Sequence, residues 1–345
     1  MKKQIINLFF IFPFISLIFI QCEEEKLSQV SIEELPKFKH KETILHYNDL
    51  QYNPCNDIIF PSVIKAYKYF DSPLGKYYMY YAPHSNPGGI CLVYADKLEG
   101  PWHEYHKNPL IRNNWEPYYT VSHVSSPHSI WNEKESKLFL YFHGDNAKTR
   151  LASSTDGINF CYEGVVVTNK QFNEISAASY ARVFKYTIPE KDNKFIMMLM
   201  GNNNGTRRIY LAWSDDGRDW NTRKNPFINP PKAAGVNQIC SPWYFPYNGK
   251  NYVIFHGRKV EHKSSSKIVS MYVVEVNNNF NSLNYLGKFY DPHQISNDNK
   301  RISDPCIIRE KDQLFLFGTA GPRLNQYIFL ATSSLKLNNK FSKIK

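Results

Sequence analysis

"SPHSIW" (residues 126–131) and "DPCIIR" (residues 304–309) are built alike: a small or acidic residue, a proline, one further residue, then an apolar run. Proline lacks the N–H that a ladder needs, so it suits the first residue of a strand. The same phrase returns as "FPSVIK" from Phe60, "SYARVF" from Ser179 and "SPWYFP" from Ser241. The second residues of the five copies are Pro61, Pro127, Tyr180, Pro242 and Pro305, spaced by 66, 53, 62 and 63 residues. A second aromatic run follows each copy: "KYYMYYAPH", "KLFLYFHGD", "KFIMMLMGN", "NYVIFHGR" and "QLFLFGTAG". A third follows that, as in "GICLVYAD" and "RIYLAWSDDG", and often a short fourth after a turn. Four short strands recurring five times predict five four-stranded units, none able to bury both faces alone, packed around a channel. This is an all-β, five-bladed β-propeller. A sandwich or solenoid is the rival all-β reading, and five four-stranded recurrences in order favour the propeller.

Composition agrees. Of 345 residues, 24 are Tyr and 23 are Phe, types that favour strands and can also stack on sugar rings. The formal charge is +11, but Lys and Arg are scattered without a basic stripe, which argues against a nucleic-acid partner. Six cysteines are present, and setting Cys22 aside leaves an odd number, widely spaced and without a CxxC pair. That is neither a disulfide framework nor a metal knuckle, so most read as small apolar fillers.

The amino terminus reads separately. Lys2 and Lys3 precede an apolar run from Ile5 to Ile20, broken by Asn7 and ending at Gln21-Cys22. The run is shorter than a membrane span and has the layout of a secretory signal. Cys22, followed by "EEE", resembles the lipidated cysteine of bacterial lipoproteins. The expected organisation is a signal at 1–22, a polar tether at 23–45 and the propeller at 46–345. The protein is then an exported lipoprotein of an outer membrane or cell surface, held to the membrane through a lipid anchor.

Residues 77–102 ("YYMYYAPHSNPGGICLVYADKLEGPW"), 150–160 ("RLASSTDGINF") and 212–220 ("AWSDDGRDW") resemble the blade hairpins of five-bladed glycoside hydrolases of family 43 and its relatives in families 32, 68, 117 and 130. Asp156-Gly157 and Asp216-Gly217 within these stretches are turn residues before anything else. The resemblance implies a glycan substrate and acids at the inner-strand starts. It places a carboxylate base in the first blade, a second acid in the next and a Glu general acid in the third. Inversion needs such a pair about 6.5–9.5 Å apart, which a ring of blades can supply. Here Phe60 and Ser126 occupy the first two places, and Asp57 is the acid nearest the first. Glu174 lies in the third blade, and Asp304 alone keeps an acid before its proline.

The expected site is therefore a polar ring at the channel mouth. His84, His143 and His256 close the second strands of three blades, with Arg258 beside His256. His123, His128, Arg182, Glu174, Asp57 and Asp304 join them, with Trp243, Trp131 and Tyr180 as stacking platforms. Each has a plainer reading as a hydrogen-bonded strand end, a turn residue or core between blades. Three histidines suit zinc, but equivalent blade positions are spread around a ring, so no metal is assigned. No cofactor is assigned either, and a structural calcium in the channel stays open. The leading expectation is a glycosidase with Glu174 as acid, Asp57 as base and Asp304 in reserve. His128 or His256 would act as alternative acid or pKa tuner. The alternatives are a non-catalytic glycan binder, a phosphorylase-like transferase holding phosphate through Arg182 and Arg258, and a protein scaffold.

Overall fold

The computed structural model describes residues 31–189, 191–261 and 264–335. The segment expected to be a signal, with Cys22, lies outside these residues. Five antiparallel four-stranded sheets follow one another along the chain. Their inner strands are Ile59–Ile64, Val124–Asn132, Ala178–Lys185, Gln238–Tyr247 and Ile302–Glu310. Among the described residues the only helical elements are short 3-10 turns. The predicted all-β, five-bladed propeller is the observed fold.

One boundary differs. Lys39–Leu45 pairs with Tyr327–Ser334 and forms the outermost strand of the fifth blade. The end of the segment read as a tether is therefore part of the propeller. A first-and-last strand pairing closes the ring without leaving an open edge. The sequence hid it because its alternating "KHKETIL" is polar: an outer strand buries little, and only Leu45 of the seven is fully buried.

The apolar core is divided into wedges between blades. Tyr78 and Tyr80 of blade one pack with Leu138 and Leu140 of blade two. Tyr141 of blade two packs with Met197 and Leu199 of blade three. Comparable clusters join blades three and four, four and five, and five and one. Blades are stitched through their turns as well. The Tyr80 hydroxyl donates to Gly157 O at 2.7 Å, and the Tyr141 hydroxyl to Gly217 O at 2.7 Å. Gly157 has φ +74°, and a Cβ there would sit 2.8 Å from Phe70 and from the Tyr80 hydroxyl, so only glycine fits. Asp156 Oδ1 accepts from the Ile158 and Asn159 amides, which confirms it as a turn residue. Trp131 stacks on Tyr69 at 4.8 Å between blades one and two, so it serves as core rather than as a sugar platform.

Candidate functional site

Every inner strand begins with the same irregularity. The pairing skips between Ile59 and Ser62, Ser125 and His128, Ser179 and Arg182, Cys240 and Trp243, and Ser303 and Cys306. Within each skip one residue has positive φ: Phe60 (59°), Ser126 (57°), Tyr180 (58°), Ser241 (50°) and Asp304 (55°). A non-glycine residue in this region costs roughly 1–2 kcal/mol, and a bulge re-aims the side chain it carries. The repeat thus turns five side chains to one end of the channel. In blade three it is Tyr180, not Ser179, that matches Phe60 and Ser126, because "SYARVF" lacks the proline that marks the register elsewhere.

The ladder also corrects the histidine pattern. Ser125 faces His143 and Cys240 faces His256, while Ala82, Met200 and Thr319 fill that position in the other blades. Two histidines share the position, not three; His84 lies two residues further on, level with Arg258. The position has a structural use. His256 Nδ1 accepts the Asp304 amide at 3.5 Å, and Thr319 Oγ1 accepts the Phe60 amide at 3.3 Å, each linking a blade to the next.

Two residues deeper, Ser62, His128, Arg182, Trp243 and Cys306 form a layer below the mouth. Arg182 is buried, donates Nη1 to Pro127 O at 2.8 Å, and sits 5.7 Å from the rings of both Phe60 and Trp243. His128 Nε2 donates to Val183 O at 2.6 Å, and burial pushes its pKa down to about 3. His128, Arg182 and Trp243 therefore plug the channel and do not line the cavity. Glu174 is also displaced. It is exposed, has φ +52°, and offers its backbone carbonyl to Asn203 from a rim loop.

The mouth itself holds two adjoining recesses that share Phe60, His84, Tyr180, Arg207 and Arg323. The more enclosed, about 50 Å³, adds His256, Arg258, Arg301, Asp304 and Gln326. The wider, about 280 Å³, adds His123, His143, Ser125 and Asn146. Phe60 and Tyr180, with ring centroids 4.9 Å apart, give the recesses a common aromatic wall. His123 and His143 meet Nε2 to Nε2 at 3.3 Å. Among the described residues no group of three or more His, Cys, Asp or Glu is disposed to hold a metal ion.

Two buried acids serve this mouth. Asp57 Oδ1 accepts the Gln326 amide at 2.7 Å, and its Oδ2 is 3.5 Å from His84 Nδ1 with no hydrogen bond of its own. Burial raises its pKa to about 6. Burial likewise pushes His84 down to about 4, helped by Arg323. Asp304 behaves in the opposite way. Burial opposes its ionisation, yet His256, the Ser241 and Ser303 hydroxyls and Arg301 together hold its pKa below the usual value. The Ser241 Oγ and Ser303 Oγ bonds are 2.6 and 2.9 Å. His256 is itself pushed down to about 3 by burial and accepts the Asp304 amide, so it stands neutral. The hydroxyls and Arg301 thus do most to hold Asp304 ionised.

Sequence reasoning missed Arg207, Arg301 and Arg323. A usable signal existed: "GTRRIY", "KRISDP" and "AGPRLN" all lie at the same strand ends as the quoted repeat. Arg207 and Arg323 enter the mouth from the turns between second and third strands, and Arg301 from the approach to the fifth inner strand.

No protein-family model matches the sequence, and no curated protein matches it. Solved structures do match. A glycoside hydrolase aligns with TM-score 0.61 at 12% identity, covering 86% of this chain and 92% of that one. The α-L-arabinofuranosidase of Podospora anserina, solved with cellotriose, aligns with TM-score 0.60 at 9% identity, covering 87% and 98%. The catalytic domain of a family 62 α-L-arabinofuranosidase from Coprinopsis cinerea gives 0.60 at 9%, covering 88% and 98%. The chain has the five-bladed propeller fold that several glycoside hydrolase families share.

Proposed function

We propose that this propeller is a glycan-active enzyme of the glycoside hydrolase type, working at the channel mouth. One observation carries the reading: two buried acids beside the same polar cavity have pKa values pushed in opposite directions, Asp57 up and Asp304 down. Such divergence separates a proton donor from an ionised carboxylate. Asp304 lines the enclosed recess and is the ionised partner, acting on water or on the developing positive charge of the sugar. Asp57 keeps its proton up to about pH 6 and faces His84, which lines both recesses and stands between Asp57 and the ligand space. The pair Asp57–His84 therefore supplies the proton to the leaving oxygen. Phe60 and Tyr180 offer faces for a sugar ring.

The test is turnover of a glycan panel by the wild type and by Asp304→Asn, Asp57→Asn and His84→Gln, each verified as folded. Loss of a general acid or base reduces rate about 10²- to 10⁴-fold. Wild-type rates in all three variants would refute the assignment, and loss on Glu174→Gln alone would move the chemistry to the rim.

A second reading, glycan capture without turnover, is favoured by Phe60, Ser126 and Tyr180 standing where the resemblance expects acids. Saturable binding with no product across the panel would select it. Export with lipidation of Cys22 belongs to the same proposal, and fatty-acid labelling that vanishes on Cys22→Ser tests it.

A further inference from the structure

Four arginines converge on the enclosed recess: Arg207 from blade three, Arg258 from blade four, and Arg301 and Arg323 from blade five. Among the described residues, none has a carboxylate within ion-pair distance; the two site acids have histidines there instead, His84 beside Asp57 and His256 beside Asp304. Arg207 Nη1 reaches only the Cys240 sulfur, at 3.5 Å. Arg301 Nε is shielded from solvent and has no hydrogen-bond partner. The cations also act on one another. Burial lowers the Arg258 pKa first, and Arg207, Arg301 and Arg323 lower it further.

Four guanidiniums face two carboxyls, an excess of two positive charges. Near neutral pH the histidines add none, since burial holds His84 and His256 near pKa 4 and 3. An uncompensated charge in a partly dry recess is costly unless something pairs it. The fork of a guanidinium matches the oxygens of a carboxylate, sulfate or phosphate. The charge also bears on chemistry. Glycoside cleavage passes through a positively charged, oxocarbenium-like state, which four nearby cations would oppose. A negative group on or beside the sugar removes that opposition.

We infer that the enclosed recess is an oxyanion site, and that the ligand of this mouth is an acidic one: a sugar bearing a carboxylate or sulfate, or a sugar bound together with free phosphate. This rests on the glycan reading above only for the sugar; the oxyanion site stands apart from turnover. Arg258, Arg301 and Arg207 would hold the anion, Arg323 would reach it from the exposed rim, and the sugar ring would occupy the wider recess against Phe60 and Tyr180.

Calorimetric titration at constant ionic strength tests it, with D-galacturonate, D-glucuronate, sulfate and inorganic phosphate as probes and D-galactose and D-glucose as neutral counterparts. Saturable binding of at least one oxyanion, with the neutral sugars weaker, is expected. Losing one charge-assisted contact weakens binding about 10- to 100-fold, so Arg258→Gln, Arg301→Gln and the exposed Arg323→Gln should each show that loss. Arg323→Gln, on the rim, keeps the test open if a deeper variant does not fold. Lys194→Gln, at the other end of the propeller, should bind as wild type. Uronate binding without phosphate binding places the anion on the sugar; the reverse identifies a free oxyanion. Neutral sugars binding as well as uronates, with sulfate and phosphate no better than chloride, would overturn the inference. Anion binding unchanged in all three arginine variants would overturn it too. Absence of turnover with anion binding intact would instead count against the hydrolase reading alone.

Discussion

The two ends of the propeller use arginine differently. At the end where inner strands turn into second strands, Arg218 is fully engaged. It donates Nη2 to Glu135 at 2.9 Å and Nε to Glu163 at 3.3 Å, and lies over the Phe139 ring at 4.5 Å. Lys185 pairs with Glu133 and Lys194 with Asp215 on the same face. A groove of about 610 Å³ lies among these residues, larger than either recess at the mouth. Three of its acids, Glu133, Glu135 and Asp215, already have cationic partners. At the mouth, four arginines share a smaller space with Asp304, and among the described residues none has a carboxylate within ion-pair distance. Size therefore does not select the site. Charge left unpaired beside a cavity is what supports the proposed site, because such charge reduces stability and concentrates at functional sites.

The sharpest way to break this comparison is Asp57→Asn. Asp57 binds its proton more tightly folded than unfolded, with a pKa raised from 3.8 to about 6. Its contribution to stability is full below about pH 4 and is lost as pH rises through 6. The amide cannot ionise, so the variant should be about 3 kcal/mol more stable than wild type at pH 7 and no more stable at pH 4, by denaturant melts at both. A wild-type profile would show that Asp57 is not strained as an anion.

Arg218→Gln comes next. It strands Glu135 and Glu163 and uncovers the Phe139 ring, at a cost of about 1 kcal/mol for a half-buried, multiply bonded pair. No change would mean that the paired end is not holding the blades. Arg258→Gln should act with the opposite sign. It relieves repulsion from Arg207, Arg301 and Arg323, so stability should rise by up to ~1 kcal/mol at low salt. Added salt should narrow the gap, since screening helps the wild type more. Destabilisation at low salt would show that Arg258 has a structural partner. The smallest effect belongs to Lys194→Gln. Its pair with Asp215 is exposed on both sides, so thermal melts should overlay those of the wild type.

Much of this was readable from particular residues. Pro61, Pro127, Pro242 and Pro305 mark strand starts because proline is tolerated only where no ladder donor is needed. Asp156-Gly157 and Asp216-Gly217 mark turns because they supply side-chain acceptors and positive φ. The site was less readable. Asp57, Asp304, His84, His123, His143, His256 and Arg258 do gather at the mouth. Glu174 stands exposed on the rim instead, because sharing a blade does not fix where a loop acid points. His128 and Arg182 lie buried below the mouth, because a bulge sends alternate residues of one strand to different depths.

The sequence by itself determined the number of blades, their four-strand order and the end of the channel on which polar residues would collect. Those follow from local chemistry repeated along the chain. The tertiary structure alone decided that Lys39–Leu45 closes the fifth blade, and that Tyr180 takes the strand-start place in the third. It alone brought Arg207, Arg258, Arg301 and Arg323 from three blades into one recess. Closing a ring places side chains face to face that are distant in the chain, and neither a ladder register nor the absence of a counter-charge can be read from any single strand.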